Sequence, residues 1–322
     1  MNLHKDTELF SQAIVMASRQ LGIRREFVEK DYWICRSLQL LADSDIEHHA
    51  VFKGGTSLTK AYGIGSRFSE DIDIAIVDAG SMSGNQLKTV IKETAHTMSS
   101  ELKEVPKAGL TSKGSHYYKA FYAYPVLSDI PNSSNTFRQG EILLEINSFA
   151  NPYPWEVRQI SSFVTDFLNI QSRQDIIAEY GMQPFELAVL DKRRTLVEKL
   201  VSLVRCSLCD DYMAELTAHI RHFYDLYYLS LDADCNNYMQ SSTFLKDFAD
   251  LLNHDRETFQ KPDGWQNREL MDSVLIRDFH NIWKQLQTTY IRELPELSYK
   301  EIPSPEDIEN SMIKIIGIIS KI

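Results

Sequence analysis

Apolar positions fall at helical spacing from the start of the chain. Leu9, Phe10, Ala13, Ile14, Ala17 and Leu21 predict a helix over 7–21. Phe27, Tyr32, Ile34, Leu38 and Leu41 predict a second over 26–42. The period then changes. His49 to Phe52 reads as a short strand and Thr56 to Tyr62 as a helix. Asp71 to Val77 alternates as a strand does, until Asp78, Ala79 and Gly80 end it. A helix is predicted over 84–104, and strands over 116–124 and 141–149. The polar, turn-rich stretch Ser128 to Gly140 joins those two strands. Asn151, Pro152, Tyr153 and Pro154 form a break, and Gln159 to Phe163 and Pro184 to Leu190 are further strand candidates. From Asp191 the pattern is helical almost to the end. Ser304, Pro305 and Glu306 supply a cap, a first turn and an acidic start for a final helix to about Ile318.

This order predicts an α+β chain: N-terminal helices and a small mixed α/β domain over 1–163, then a mainly helical domain over 164–322, with the seam near 164–192. A length of 322 residues is long for one core and agrees with two domains. A net charge of −11 argues against a general nucleic-acid coat while leaving room for a local basic groove. Lys192, Arg193 and Arg194, with Lys199 and Arg205, are the one local basic run. It either steers a nucleotide or an RNA end or is a solvated helix face. No stretch reaches the apolar length of a membrane span, and MNLHKDTELF has no apolar signal core, so a cytoplasmic protein with no membrane partner is expected. Cys206 and Cys209 form a Cys-x-x-Cys with His219 and His222 downstream. Their helical setting and the closeness of the histidine pair favour buried helix cysteines over a zinc site.

The densest chemistry lies between residues 54 and 73. Gly54, Gly55, Thr56 and Ser57 follow the short strand. A glycine turn that opens a helix presents backbone N–H groups to phosphate. Asp71 and Asp73 flank Ile72, so in a strand their carboxylates share one face. Two such carboxylates repel unless a cation sits between them, and Mg²⁺ accepts carboxylate and phosphate oxygens together. Glu145 is a third acidic candidate on a neighbouring strand. On its own residues it is equally well read as a solvent-facing edge position. Each feature alone is weak; their order and spacing together point to nucleotide chemistry.

Lys53 to Ser57 followed by Arg67 to Asp73 resembles the nucleotidyltransferase signature of the AbiEii/AbiGii toxin family, bacterial abortive-infection and toxin–antitoxin proteins with the polymerase-β-like nucleotidyltransferase fold. Glu29 to Trp33, Thr195 to Leu200 and Arg221 to Tyr227 resemble further motifs of that family, so the resemblance spans about residues 29–230. It implies an NTP substrate, Mg²⁺ at Asp71 and Asp73 with Glu145 as a less secure third ligand, and Gly54, Gly55, Thr56 and Ser57 around the triphosphate. It also implies that Lys199 contacts phosphate and that Asp225 completes the site. On residues alone, Lys199 could be a solvated helix position and Asp225 an ion-pair partner of Arg221. Arg67 either touches phosphate or pairs with Glu70. The expected reaction is transfer of NMP to an acceptor hydroxyl, first the tRNA 3′ end and second a protein side chain. A cognate antitoxin is expected as partner. A kinase-like phosphotransferase and a non-catalytic nucleotide-binding protein are the alternatives.

Overall fold

Helix α1 (Thr7–Leu21) forms where the apolar period places it, in a computed structural model that describes residues 1–127, 138–150 and 152–321. Asp6 caps its start by accepting the Leu9 N–H at 3.0 Å, and Gly22 ends it in the left-handed region at φ 67°. Two units follow from the packing. The first comprises Met1–Gly63 and Phe68–Leu190; the second comprises Ile64–Arg67 and the chain from Asp191. The expected linker Ser128–Gly140 lies, for 128–137, outside the described residues, as does Asn151 of the expected break.

Helix α2 (Arg25–Ala42) is buried around nearly its whole circumference, charged residues included. A helix buried on all sides belongs to the inside of its unit. Each charge it carries inward must then meet a partner, because an unpaired buried charge costs several kcal/mol, on the order of 3–5. Glu29 Oε1 accepts the Leu127 N–H at 2.7 Å. Lys30 Nζ donates to Glu70 Oε1 at 2.9 Å and to the Arg138 carbonyl at 3.0 Å. Asp31 pairs with Lys60 Nζ at 2.7 Å and accepts the Phe163 N–H at 2.7 Å. Three successive residues therefore anchor three different segments of the unit.

The sheet follows in chain order: β1 (Ala50–Lys53), helix α3 (Gly54–Tyr62), β2 (Asp71–Ile76), helix α4 (Gly84–Met98), β3 (Lys103–Val105), β4 (Ser112–Lys113), β5 (Tyr117–Ala123), β6 (Glu141–Asn147), β7 (Trp155–Ile160), helices α5 (Phe163–Ile170) and α6 (Gln174–Glu179), and β8 (Phe185–Leu190). Its order is β3-β5-β6-β2-β1-β8-β7, with β4 also beside β5. The β2–β6 and β1–β8 pairs are parallel and the rest antiparallel, giving the mixed sheet that the sequence predicts.

Two elements depart from the sequence pattern, and the domain bound falls late in the expected seam. The helix predicted over 84–104 stops at Met98, and Lys103–Val105 instead pairs with β5. The strand candidate Gln159–Phe163 is displaced: β7 ends at Ile160, and Ser162 caps α5 by accepting the Thr165 N–H at 3.0 Å. The first unit also runs past residue 163 to Leu190, because β8 enters the sheet between β1 and β7.

The second unit is helical: α7 (Lys192–Ser207), α8 (Tyr212–Ala218), α9 (Ile220–Leu231), α10 (Ala233–Met239), α11 (Ser242–Thr258), α12 (Val274–Leu297) and α13 (Pro305–Ile319). Asp191 caps α7 through the Arg193 N–H at 2.8 Å, and Ser304 and Asp307 form a capping box on α13. Leu196, Val197, Leu200, Val201, Leu203 and Val204 bury one side of α7. Among the described residues, no helix is long and apolar enough to cross a membrane.

The α2 charges make a measurable claim. Lys30 and Glu70 are 0% and 1% exposed. Removing one partner strands the other in a low-dielectric interior. Lys30→Met should lower unfolding free energy in urea by about 3–5 kcal/mol, and adding Glu70→Met should restore part of it. A single variant as stable as the parent would show that Glu70 does not depend on Lys30.

Candidate active site

Asp71 and Asp73 stand where the alternation predicts, on one face of β2, while Ile72 and Ile74 are buried on the other. Strand register lines charges up across four strands. Lys53 of β1 is opposite Asp73, Asp73 is opposite Glu145 of β6, and Glu145 is opposite Lys119 of β5. Glu145 is thus on the same face as Asp73 and next to it, not at an edge. Both its oxygens are engaged: Lys119 Nζ pairs with Oε1 at 2.7 Å, and the Tyr117 hydroxyl donates to Oε2 at 2.9 Å. Burial, then Glu145, then Asp73 push the Tyr117 hydroxyl well above its usual pKa, so it stays a donor. Among the described residues, Asp71, Asp73 and Glu145 do not gather their oxygens into a three-ligand cluster; Cys206, Glu215 and His219 are the set that does gather its ligand atoms.

Asp71 is held by a residue that the sequence pattern did not single out. Arg138 Nη2 donates to Asp71 Oδ1 at 2.7 Å, and its backbone N–H donates to Glu70 Oε1 at 2.8 Å. Burial works against the Glu70 carboxylate, but Lys30 and Arg138 outweigh it and hold it below its usual range. Lys30 therefore reaches Asp71 indirectly, through the residue that precedes Asp71 and through Arg138. Arg138 carries no motif of its own, and Lys30 lies within the Glu29–Trp33 motif without a task that the motif assigns. Only the coincidence of a buried lysine with a buried glutamate next to the aspartate pair could have marked them.

The start of α3 meets β2 at very short range. Gly54 has φ +80°, and a Cβ placed on it would lie 2.1 Å from Asp73 Oδ2. No side chain larger than hydrogen fits there, and an L residue would be strained in that conformation besides. Lys53, at the N-cap position, gives α3 no side-chain cap, so its first N–H groups depend on other acceptors. The hydroxyls of the turn point inward: Thr56 donates to the Asp71 carbonyl and Ser57 to the Gly54 carbonyl at 2.8 Å. Thr56 and Ser57 are 2% and 0% exposed. They tie α3 to β2 and to its own first turn, which leaves anion binding there to backbone donors. This donor set fits a divalent metal with phosphate: two carboxylates on one strand face, one already taking a guanidinium, beside a turn whose glycine is required by the carboxylate.

In the second unit, Arg67, Lys199 and Asp225 form one cluster. Arg67 donates from Nε and Nη2 to the two Asp225 oxygens at 2.7 Å each, a bidentate pair, and Lys199 Nζ lies 2.8 Å from Asp225 Oδ2. All three are nearly buried, at 4%, 7% and 5% exposure. Burial raises the Asp225 pKa, but Arg67 and Lys199 overcome it and hold the carboxyl far below its usual range. Arg67 pairs with Asp225 and Asp225 takes both cations, so Asp225 orients Arg67 and Lys199. The turn before Arg67 is fixed as well: the Tyr224 hydroxyl accepts the Ser66 N–H at 2.9 Å, and the Tyr299 N–H donates to the Ser66 carbonyl at 3.0 Å.

The basic run resolves into ion pairs. Lys192 lies 2.8 Å from Asp232 and 2.9 Å from Asp234, Arg193 2.6 Å from Asp191, and Arg194 3.8 Å from Glu198. Tyr118, Tyr122 and Tyr124 are buried in the sheet unit.

Comparison with known proteins adds three findings. Residues 36–309 match the family described as nucleotidyl transferase AbiEii toxin, type IV TA system. Solved structures similar to this one include MenT4, a nucleotidyltransferase toxin from Mycobacterium tuberculosis H37Rv, at 15% identity and TM-score 0.49, covering 95% of this chain and 98% of that one. JHP933 from Helicobacter pylori is similar at 15% identity and TM-score 0.45, covering 92% of each chain. No curated protein matches the chain in sequence.

Two substitutions probe the two clusters. Gly54→Ala should displace Asp73 and weaken divalent-metal-dependent NTP binding by calorimetry. Gly63→Ala, also at positive φ but with open space around it, should cost only about 1 kcal/mol of stability and bind normally. Equal binding by both variants would refute the close-approach argument. Asp225→Asn removes the counter-charge of two buried cations and should cost about 3–5 kcal/mol. Because the folded pKa of Asp225 is depressed, its contribution is complete above its unfolded value of about 4 and fades as pH falls through the folded value. The parent should therefore lose stability on acidification more steeply than Asp225→Asn, as read by urea midpoints across acid pH.

Proposed function

The chain belongs to the AbiEii nucleotidyl transferase toxin family, and from that premise we propose that it transfers NMP from an NTP to an acceptor hydroxyl, using Mg²⁺ at Asp71 and Asp73 and releasing pyrophosphate. Membership makes it a toxin–antitoxin nucleotidyltransferase with a cognate antitoxin and an NTP substrate. The observation that carries the finer reading is the Asp71/Asp73 pair facing one way on β2, with Gly54 so near Asp73 that no side chain fits.

Each residue then has a task. Asp71 and Asp73 would hold a divalent cation, which would supply charge neutralisation at the phosphates and acidification of the attacking hydroxyl. Backbone N–H groups at the start of α3 hold a phosphate, and Thr56 keeps that turn fixed on β2 through the Asp71 carbonyl. Lys199 and Arg67 offset the charge that develops on the leaving pyrophosphate. Asp225 sets their orientation. Glu145, held by Lys119 and Tyr117, tunes the charge around Asp73, and each of its oxygens keeps a further lone pair for a cation. The proposed acceptor is the 3′ end of tRNA, an unpaired terminus whose ribose hydroxyls are accessible for in-line attack.

The test pairs labels. Purified protein is incubated with each α-labelled or γ-labelled NTP and total cell RNA. Label from the α position should appear in a tRNA-sized band, and label from the γ position should not. Asp73→Ala should reduce transfer at least about a hundredfold, since metal assistance is worth several kcal/mol. Label arriving from the γ position would refute nucleotidyl transfer, and α-label appearing only on protein would refute the tRNA acceptor.

A further inference from the structure

The second unit holds a set of metal-type donors that this reaction does not use. Cys206 lies in the last turn of α7, Glu215 on α8, and His219 at the C-cap of α8, one helical turn after Glu215. One ligand atom from each lies within 4.8 Å of the other two. Donors bound to one tetrahedral zinc stand roughly 3.3–3.8 Å apart, given bonds of about 2.0–2.3 Å. The set therefore needs to close by about an ångström, within reach of side-chain rotation.

Chemistry and surroundings agree. A thiolate and a carboxylate balance a dication, and a sulfur, nitrogen and oxygen set suits zinc-class metals better than magnesium. The His219 Nδ1 lies 2.8 Å from the Glu215 carbonyl; as a ligand it would exchange that contact for the ion, with the ring proton on Nε2. The same Nδ1 is 3.5 Å from Cys206 Sγ. Cys209 is turned elsewhere, its thiol donating to the Cys206 carbonyl at 3.1 Å. His222 lies with its ring 5.2 Å from that of His219, and its buried Nδ1 has no hydrogen-bond partner. Glu215 and His219 are partly exposed, which gives an ion a way in, while Cys206 is buried at 1%.

We propose that Cys206, Glu215 and His219 form a structural site for a zinc-class cation that staples the end of α7 to α8. The Cys-x-x-Cys pair is not the ligand set; one of its cysteines is, and the other partners come from α8 and its cap. The site fastens α7, the helix that also carries Lys199 about two turns earlier.

Cobalt is the probe. Full-length protein stripped of metal is titrated with Co²⁺ and followed for the thiolate charge-transfer band and the visible bands of tetrahedral cobalt. One Co²⁺ per chain should bind and be displaced by Zn²⁺, and Zn²⁺ should raise the thermal midpoint. Cys206→Ser should remove the thiolate band, and Glu215→Gln and His219→Ala should each weaken binding more than about tenfold. Asp71→Asn/Asp73→Asn should keep the band, which separates this site from the one proposed for Mg²⁺. Cys209→Ser should keep it too. Absence of a thiolate band in the parent, its survival in Cys206→Ser, or its loss in Asp71→Asn/Asp73→Asn overturns the proposal. Circular dichroism confirms that each variant is folded.

Discussion

A charge removed from water must be met by another charge or by several hydrogen bonds, and α2 places Glu29, Lys30 and Asp31 in that position one after another. Successive helix residues point about 100° apart. Three neighbouring charges therefore cannot share one partner, and each reaches a different segment. Glu29 and Lys30 take backbone groups of Leu127 and Arg138, while Asp31 takes Lys60 of α3 and the first N–H of α5. Apolar residues at these positions would bury more comfortably, but they would leave those segments free to settle in several ways. Each buried charge ties its own segment to α2, and Asp71 follows Glu70 in that arrangement.

The same logic operates at closer range beside β2. Gly54 approaches Asp73 to a distance that forbids a Cβ, and the Thr56 hydroxyl ties α3 to the Asp71 carbonyl. The turn and the carboxylates are thus positioned by one another. Strand register does the rest. Because side chains alternate with a period of two, pairing Asp73 with Glu145 sets Asp71, Asp73 and Glu145 on one face, and a one-residue slip would send the whole set to the other.

What the sequence disclosed follows the reach of its signals. Local periodicity located α1, α2, β1, β2 and α13 closely, and the Gly54–Ser57 turn with Asp71 and Asp73 named the chemistry. Signals that depend on distant partners were harder to read. α4 ends early because Lys103–Val105 finds β5, a pairing that propensity does not encode. β8 belongs to the first unit only because it fits between β1 and β7. Arg138 looks like an ordinary basic residue, and Lys30 has no assigned task within the Glu29–Trp33 motif, until Glu70 is found between them. Asp225 was expected to meet Arg221 or to complete a site, yet it meets Arg67, which lies 158 residues earlier in the chain.

The acidity of the chain bears on how it can handle a triphosphate. A net charge of −11 repels a polyanion at long range, and much of the positive charge is already committed. Lys192, Arg193 and Arg194 are paired with acids. Lys60 and Lys30 are buried against Asp31 and Glu70. Arg67 and Lys199 share Asp225, so that cluster carries one net positive charge. The cations of that basic run are therefore not free to collect phosphate. The chain can do so with uncapped backbone N–H groups, which carry no charge to be screened, and with carboxylates that recruit a dication. In the proposed reaction, Asp71 and Asp73 would therefore serve a chain of this charge by bringing a cation to the nucleotide rather than by adding to its acidic excess.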